Sequence, residues 1–168
     1  MPNWCENRLY ITGPATELVK FFNDNKSKRD DEILHLDFGK SVPPPVPQEK
    51  WKDLPHDEAK IKEENLFDWY SWSVENWGTK WNIDPSDISV ERNTDLKRPY
   101  LLYRFLTAWS PPEQWMIAVI KKYPKLFFSL EFNEYGMCFT GGITGENGSV
   151  LSNYSRDMTN EEANLEDY

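Results

Sequence analysis

Side chains alternate in polarity along the first strand-length stretch of this chain. From Asn3 to Thr12, Cys5, Asn7, Leu9 and Ile11 fall on one side and Trp4, Arg8 and Tyr10 on the other, the two-residue period of a half-buried strand. Gly13 and Pro14 then open a helix over Ala15 to Asn23, with Pro14 at its first position and Leu18, Phe21 and Phe22 as its apolar stripe. From Asn25 to about Glu64 the period is lost. Charged residues run from Lys26 to Glu32, a short apolar piece covers Ile33 to Phe38, and Pro43, Pro44, Pro45 and Pro47 exclude a helix or a central strand. This segment is expected to be an irregular, Pro-rich insertion lying over the surface.

Helical spacing returns at Phe67 to Trp77, where Phe67, Tyr70 and Val74 share a face flanked by Trp69 and Trp72, and Gly78 is placed to end it. Ile83 to Arg92 predicts a strand, and Pro99 to Trp109 a stronger one, with Leu101, Tyr103 and Phe105 opposite Leu102, Arg104 and Leu106. Ser110, Pro111 and Glu113 carry a capping-box pattern for a helix to about Lys122. Its inward residues are Trp115, Met116, Val119, Ile120 and Tyr123, and Pro124 stops it. Leu126, Phe128, Leu130 and Phe132 mark another half-buried strand. Tyr135-Gly136 and Asn147-Gly148 read as turns, adding strands near Met137 to Thr140 and Ser149 to Tyr154.

Without the insertion the order is strand, helix, strand, strand, helix, strand and a terminal β-hairpin. That predicts an α+β, ferredoxin-like split βαβ arrangement, an antiparallel sheet with two helices on one face. A single domain spans residues 1–156, with the insertion at 25–64. Residues 157–168 form an acidic C-terminal tail carrying Asp157, Glu161, Glu162, Glu166 and Asp167, with a helical start at Thr159.

Four of the eight tryptophans (Trp69, Trp72, Trp77 and Trp81) fall in one short segment, so this segment is either a packing element or a contact surface. A structural role is favoured, since Trp77 and Trp81 bracket a glycine as in a chain reversal that folds rings onto a core. As a binding site the candidates are Trp69, Trp72, Asn76, Trp77, Lys80, Trp81 and Trp109, with Lys80 free to stack on indoles or meet an acidic ligand.

The opening Pro2-Asn3-Trp4-Cys5-Glu6-Asn7-Arg8-Leu9 precedes Gly13-Pro14. Later come Trp72, Asn76-Trp77-Gly78-Thr79-Lys80-Trp81, Phe105-Leu106-Thr107-Ala108-Trp109-Ser110-Pro111-Pro112 and Tyr123-Pro124. In this combination and order the chain resembles the YubB-like or Api92-like family of phage and plasmid proteins, over both ends and most of Trp69 to Gly142. The resemblance implies a ferredoxin-like domain and an origin in a bacterial mobile element. It supplies no catalytic residues.

A net charge of −9 and a pI near 4.8 weigh against nucleic acid as a partner, because phosphate-driven binding needs clustered Lys and Arg. Carboxylates standing in for phosphates are a further possibility, weaker than simple solvated charge. Stacking of single-stranded nucleic acid on Trp4, Tyr10 and Tyr100 is weaker than packing of those rings. Cys5, Cys138, His35 and His56 are scattered, without metal-ligand spacing, so no metal and no cofactor is expected. Both cysteines read as small buried thiols in a reducing compartment. The glycines Gly141, Gly142, Gly145 and Gly148 run into a hairpin dipeptide rather than a helix, which favours a hairpin over a phosphate loop. The N-terminus lacks a basic stretch followed by an apolar run, and no stretch approaches a membrane span, so the expected setting is the bacterial cytoplasm. The resulting expectation is a non-enzymatic binding protein of a phage, prophage or plasmid that engages a bacterial macromolecule, a bacterial protein before nucleic acid. The alternatives are an enzyme with a pocket near the Trp-rich segment, or a single-stranded nucleic-acid binding protein.

Overall fold

A computed structural model describes residues 2–95 and 97–164. Its centre is a six-stranded, wholly antiparallel sheet built from β1 (Trp4–Thr12), β4 (Ile88–Asn93), β5 (Tyr100–Ala108), β6 (Phe127–Glu134), β7 (Phe139–Glu146) and β8 (Ser149–Asp157). The spatial order is β4-β5-β1-β6-β7-β8. With helices α1 (Ala15–Asn25) and α5 (Glu113–Lys122), the first four of these in space form the ferredoxin-like split βαβ unit, and β7 and β8 extend it as the terminal hairpin.

One sheet face carries the core. Leu9, Ile11, Leu101, Tyr103, Phe105, Phe128, Leu130 and Phe132 pack against Leu18 and Phe21 of α1 and against Trp115, Met116, Val119 and Ile120 of α5. The ring of Phe21 contacts Tyr103, Tyr123 and Phe128 in edge-to-face geometry at 5.0–6.3 Å between centroids. The period-two pattern places these side chains correctly on every central strand.

The segment 25–64 departs from its expected irregular character. It contains a two-stranded hairpin, β2 (Ser27–Arg29) with β3 (Glu32–Leu34), and the short helices α2 (Phe38–Ser41) and α3 (Glu58–Glu63), with a 3-10 turn at Gln48–Asp53 between them. Nor does it merely lie over the surface. Leu34, Leu36 and Phe38 are fully buried in the central core, and Phe38 meets Phe105 and Trp115. Leu34, Leu36 and Phe38 of the apolar run Ile33 to Phe38 are therefore core residues, although Ile33 is exposed, and the Pro43–Pro47 stretch has neither helix nor strand.

Other local expectations shift for identifiable reasons. Helix α4 (Trp69–Asn76) exposes Tyr70 and Val74 rather than burying them. It turns Trp69, Trp72 and Ser73 inward, because two indoles offer more apolar area to bury than a tyrosine and a valine. Strand β4 begins at Ile88, not Ile83, because Asp84 accepts hydrogen bonds from the backbone and hydroxyl of Ser86 and holds a 3-10 turn at Pro85–Asp87. Ser110 does not cap α5. Its hydroxyl donates to the carbonyl of Gly78 at 2.6 Å, and Pro112 takes the cap position with no side-chain hydrogen bond. Pro14 likewise stands one residue before α1. Cys138 is exposed, with φ +57°, whereas Cys5 is buried as expected.

The C-terminal tail is tied down as far as it is described. Asp157 belongs to β8, and Thr159 caps α6 (Asn160–Ala163) in a reciprocal capping box with Glu162. Arg156 donates two hydrogen bonds to the Glu162 carboxylate, at 2.8 and 2.9 Å. Glu166 and Asp167 lie outside the described residues.

Two outcomes follow from this packing. Trp77 is fully buried and its indole N–H donates to the Val42 carbonyl at 2.9 Å. Trp77→Ala should therefore cost about 3–5 kcal/mol in urea unfolding, whereas an unchanged midpoint would place the ring at the surface. At the tail, hydrogen bonding from Arg156 and then from the Thr159 backbone holds the Glu162 carboxyl at about 2. A carboxyl depressed in the folded state stabilises it fully above the ordinary value of about 4.3 and loses that contribution as pH falls through its folded value. In carboxyl-carbon NMR titrations, Arg156→Gln should return Glu162 toward the ordinary range.

Candidate functional site

The segment after α4 joins the core to the far side of the sheet. Trp77 ends the helix, and Gly78 follows with φ +87°. A β-carbon on Gly78 would sit 2.8 Å from the backbone nitrogen of Glu113 and 3.3 Å from the Pro111 carbonyl oxygen, so the turn abuts the start of α5. The Trp115 backbone N–H donates to the Trp77 carbonyl, and the Thr79 hydroxyl donates to the carbonyl of Ala108 at the end of β5. Lys80 and Trp81 then emerge at that end, beside Trp4 of β1. Asn82 returns to the interior: its side-chain carbonyl accepts from the backbones of Phe38 and Ile83, and its amide donates to Asp37 at 2.7 Å. Arg29 and Gln48 complete this polar joint, bonded to each other at 2.6 Å, and Arg29 pairs with Asp37 at 3.5 Å.

The seven sequence candidates therefore separate into two groups. Trp69, Trp72 and Trp77 form a cluster with Trp51, a residue not among the candidates, which approaches their rings at 5.6, 6.4 and 5.7 Å. Asn76 bonds the Trp72 carbonyl of its own helix. The three indoles belong to the packing that attaches segment 25–64 to the domain, and Asn76 stays within α4 beside them. Lys80, Trp81 and Trp109 lie toward the other side. Trp81 approaches Trp4 at 6.4 Å, and the Lys80 ammonium sits over the Trp81 ring at 4.6 Å. Trp109 is 45% exposed and holds φ +70°, an uncommon backbone state for a bulky residue, with its N–H bonded to the Asn3 carbonyl.

Among the described residues no helix covers the middle of this second sheet face. Exposed Glu6, Arg8, Arg104 and Glu131 stand there, above a depression of about 580 Å³ whose rim includes Asp87 and Asn133. Arg8 and Arg104 are direct cross-strand partners on β1 and β5. Glu131, opposite Arg8 on β6, approaches it at 3.7 Å. Tyr10 and Tyr100 pair at 5.5 Å on the side of the arginines away from Trp4. The alternation along β1 and β5 had assigned Trp4, Arg8, Tyr10, Leu102 and Arg104 to faces opposite the core residues. Missing from the sequence was the register that sets the two arginines side by side.

This face presents charged and aromatic side chains. Burial pushes the Cys5 thiol up to about 12, so it is not a thiolate near neutral pH. Among the described residues no three His, Cys, Asp or Glu side chains are grouped to hold a metal ion, and no helix is long and apolar enough to cross a membrane.

Residues 76–168 match the family model described as the ferredoxin-like domain in Api92-like protein. The chain belongs to the Api92-like family. The matched stretch holds β4 to β8 and α5, while β1, from outside it, lies between β5 and β6 in the middle of the same sheet. The crystal structure of a protein api92 from Yersinia pseudotuberculosis aligns with 95% of this chain and 99% of that one, at a TM-score of 0.54 and 9% identity. That similarity supports the fold of this Api92-like chain and carries no residue roles. Among curated proteins nothing matches.

The positive φ of Trp109 yields a test that separates fold from recognition. Glycine relieves the strained backbone but adds chain entropy on unfolding, two effects of about 1 kcal/mol and opposite sign. Trp109→Gly should therefore leave the thermal midpoint within about 4 °C of the parent. A larger fall would make the Trp109 ring a packing element.

Proposed function

We propose that this Api92-like chain is a non-enzymatic binding protein of a phage, prophage or plasmid, which engages a bacterial protein in the cytoplasm through the uncovered face of its sheet. The observation that carries this reading is that face itself. The other face is filled by α1, α5 and the core, whereas this one keeps exposed Arg8, Arg104, Glu6 and Glu131 between two aromatic pairs. Aromatic and arginine side chains are the residue types that anchor protein interfaces. The motif resemblance supports the mobile-element origin, and free Cys5 and Cys138 suit a reducing compartment. The overall charge of −9 weighs against a nucleic-acid partner.

The test is affinity capture from a bacterial lysate, with and without nuclease, using the parent, the face variant Ser89→Lys/Glu131→Lys, and a control variant Lys62→Glu on exposed α3. The parent and the α3 variant should retain the same protein after nuclease treatment, and the face variant should lose it. Retention by all three, release by nuclease, or capture of nothing by the parent would each count against the reading.

A further inference from the structure

We infer that Arg8 and Arg104 form a clamp for a single carboxylate carried by an extended segment of the partner protein. This deepens the binding reading above and rests on it. The register places the two arginines directly opposite each other on the central strands, both exposed. Like charges so placed destabilise a sheet unless something answers them. Within the protein the answer is incomplete: Glu131 reaches Arg8 only at 3.7 Å, in a pair about half exposed on both sides, and the Arg104 guanidinium makes no hydrogen bond or ion pair among the described residues. A planar carboxylate laid between two guanidinium groups satisfies both through charge-assisted, paired hydrogen bonds, a geometry an ammonium cannot reproduce. The depression of about 580 Å³ beside them gives it room.

The surroundings choose among anions. Glu6, Asp87 and Glu131 rim the same depression. A nucleic-acid strand carries a charge at every nucleotide and would press neighbouring phosphates against these three carboxylates. A peptide carries charge only where a side chain supplies it, so one acid can meet the arginines while basic or polar neighbours meet the rim. The flanking rings add a length constraint. Along β1, Trp4 lies four residues to one side of Arg8 and Tyr10 two to the other. These offsets correspond to about 14 Å and about 7 Å in an extended chain. The segment that fits has a central acidic residue, one apolar side chain about four positions away for the Trp4–Trp81 pair, and another about two positions away for the Tyr10–Tyr100 pair.

Acetylated and amidated peptides of this pattern, made in both chain directions, provide the probe. Each contains one glutamate, two leucines at those offsets and serine or lysine elsewhere. The companions are the glutamine versions, acetate alone and an oligothymidylate. The readout is the side-chain Nε–H signals of arginine in nitrogen-15 NMR spectra of the full chain. One glutamate peptide should shift the Arg8 and Arg104 signals and acetate should shift them more weakly. Its glutamine version should bind about tenfold less tightly or worse. Arg104→Gln should remove the preference for glutamate while keeping the parent's thermal midpoint, since it deletes a like-charge contact. Arg8→Lys, which keeps the charge but loses the planar fork, should weaken the preference too. Shifts at neither arginine, equal binding of glutamate and glutamine peptides, or tighter binding of oligothymidylate would each overturn the clamp. If the clamp fails while Ser89→Lys/Glu131→Lys still releases the captured protein, the sheet face remains the binding surface and only the carboxylate chemistry is wrong.

Discussion

The burial of Trp77 is the constraint on which the arrangement depends. Its ring meets Phe38 at 5.9 Å, Trp51 at 5.7 Å and Trp72 at 5.1 Å, its N–H bonds the Val42 carbonyl, and its own carbonyl accepts from Trp115. One residue thereby ties together the segment after α1, helix α4 and the start of α5. An indole can do this because it offers a large apolar surface and one polar edge that must be satisfied when buried. The glycine that follows is a consequence of the same packing. With the Trp77 ring fixed inward, the chain must reverse against α5, and Gly78 has no side chain to collide there.

That reversal also explains why the aromatic-rich segment serves two different purposes. Trp69, Trp72 and Trp77, before Gly78, pack on Trp51, and Trp81, after Thr79, meets Trp4 on the other side of the sheet. The Thr79–Ala108 hydrogen bond fixes the crossing point, and Asn82 draws the chain back under Phe38. Lys80 and Trp81 are thus presented on a short span held at both ends. Rigid presentation of rings lowers the entropy lost on binding, so the structural role of the segment and a recognition role for its tip are compatible.

The sequence disclosed the fold more fully than the site. Alternation in β1, β5 and β6 located strands, faces and the inward residues, and Asn147-Gly148 located the last hairpin, with positive φ at both positions. Two kinds of information were hidden. The first is tertiary competition. Phe67, Tyr70 and Val74 form a plausible helical stripe, but the neighbouring indoles had more surface to bury, and Ser110 gave its hydroxyl to a distant carbonyl instead of its own helix. The second is register. Arg8 and Arg104 are 96 residues apart, and nothing local marks them as partners; only the pairing of β1 with β5 brings them together. In segment 25–64 the prolines dominate the composition and mask a core contribution that comes from three residues, Leu34, Leu36 and Phe38.

Global charge and local charge point in different directions here, and the difference carries physical meaning. A net charge of −9 sets the long-range field, which weakly repels polyanions and favours approach by neutral or basic surfaces. At the distance of contact, within about one Debye length of 8–10 Å, the groups actually touched matter more. On the open sheet face those groups are a pair of arginines enclosed by carboxylates, neither uniformly acidic nor uniformly basic. Such a surface gains little from attracting a highly charged ligand of either sign. It discriminates instead by position, rewarding one negative group at the centre and penalising others around it. Specificity of that kind comes as much from what the rim rejects as from what the centre accepts.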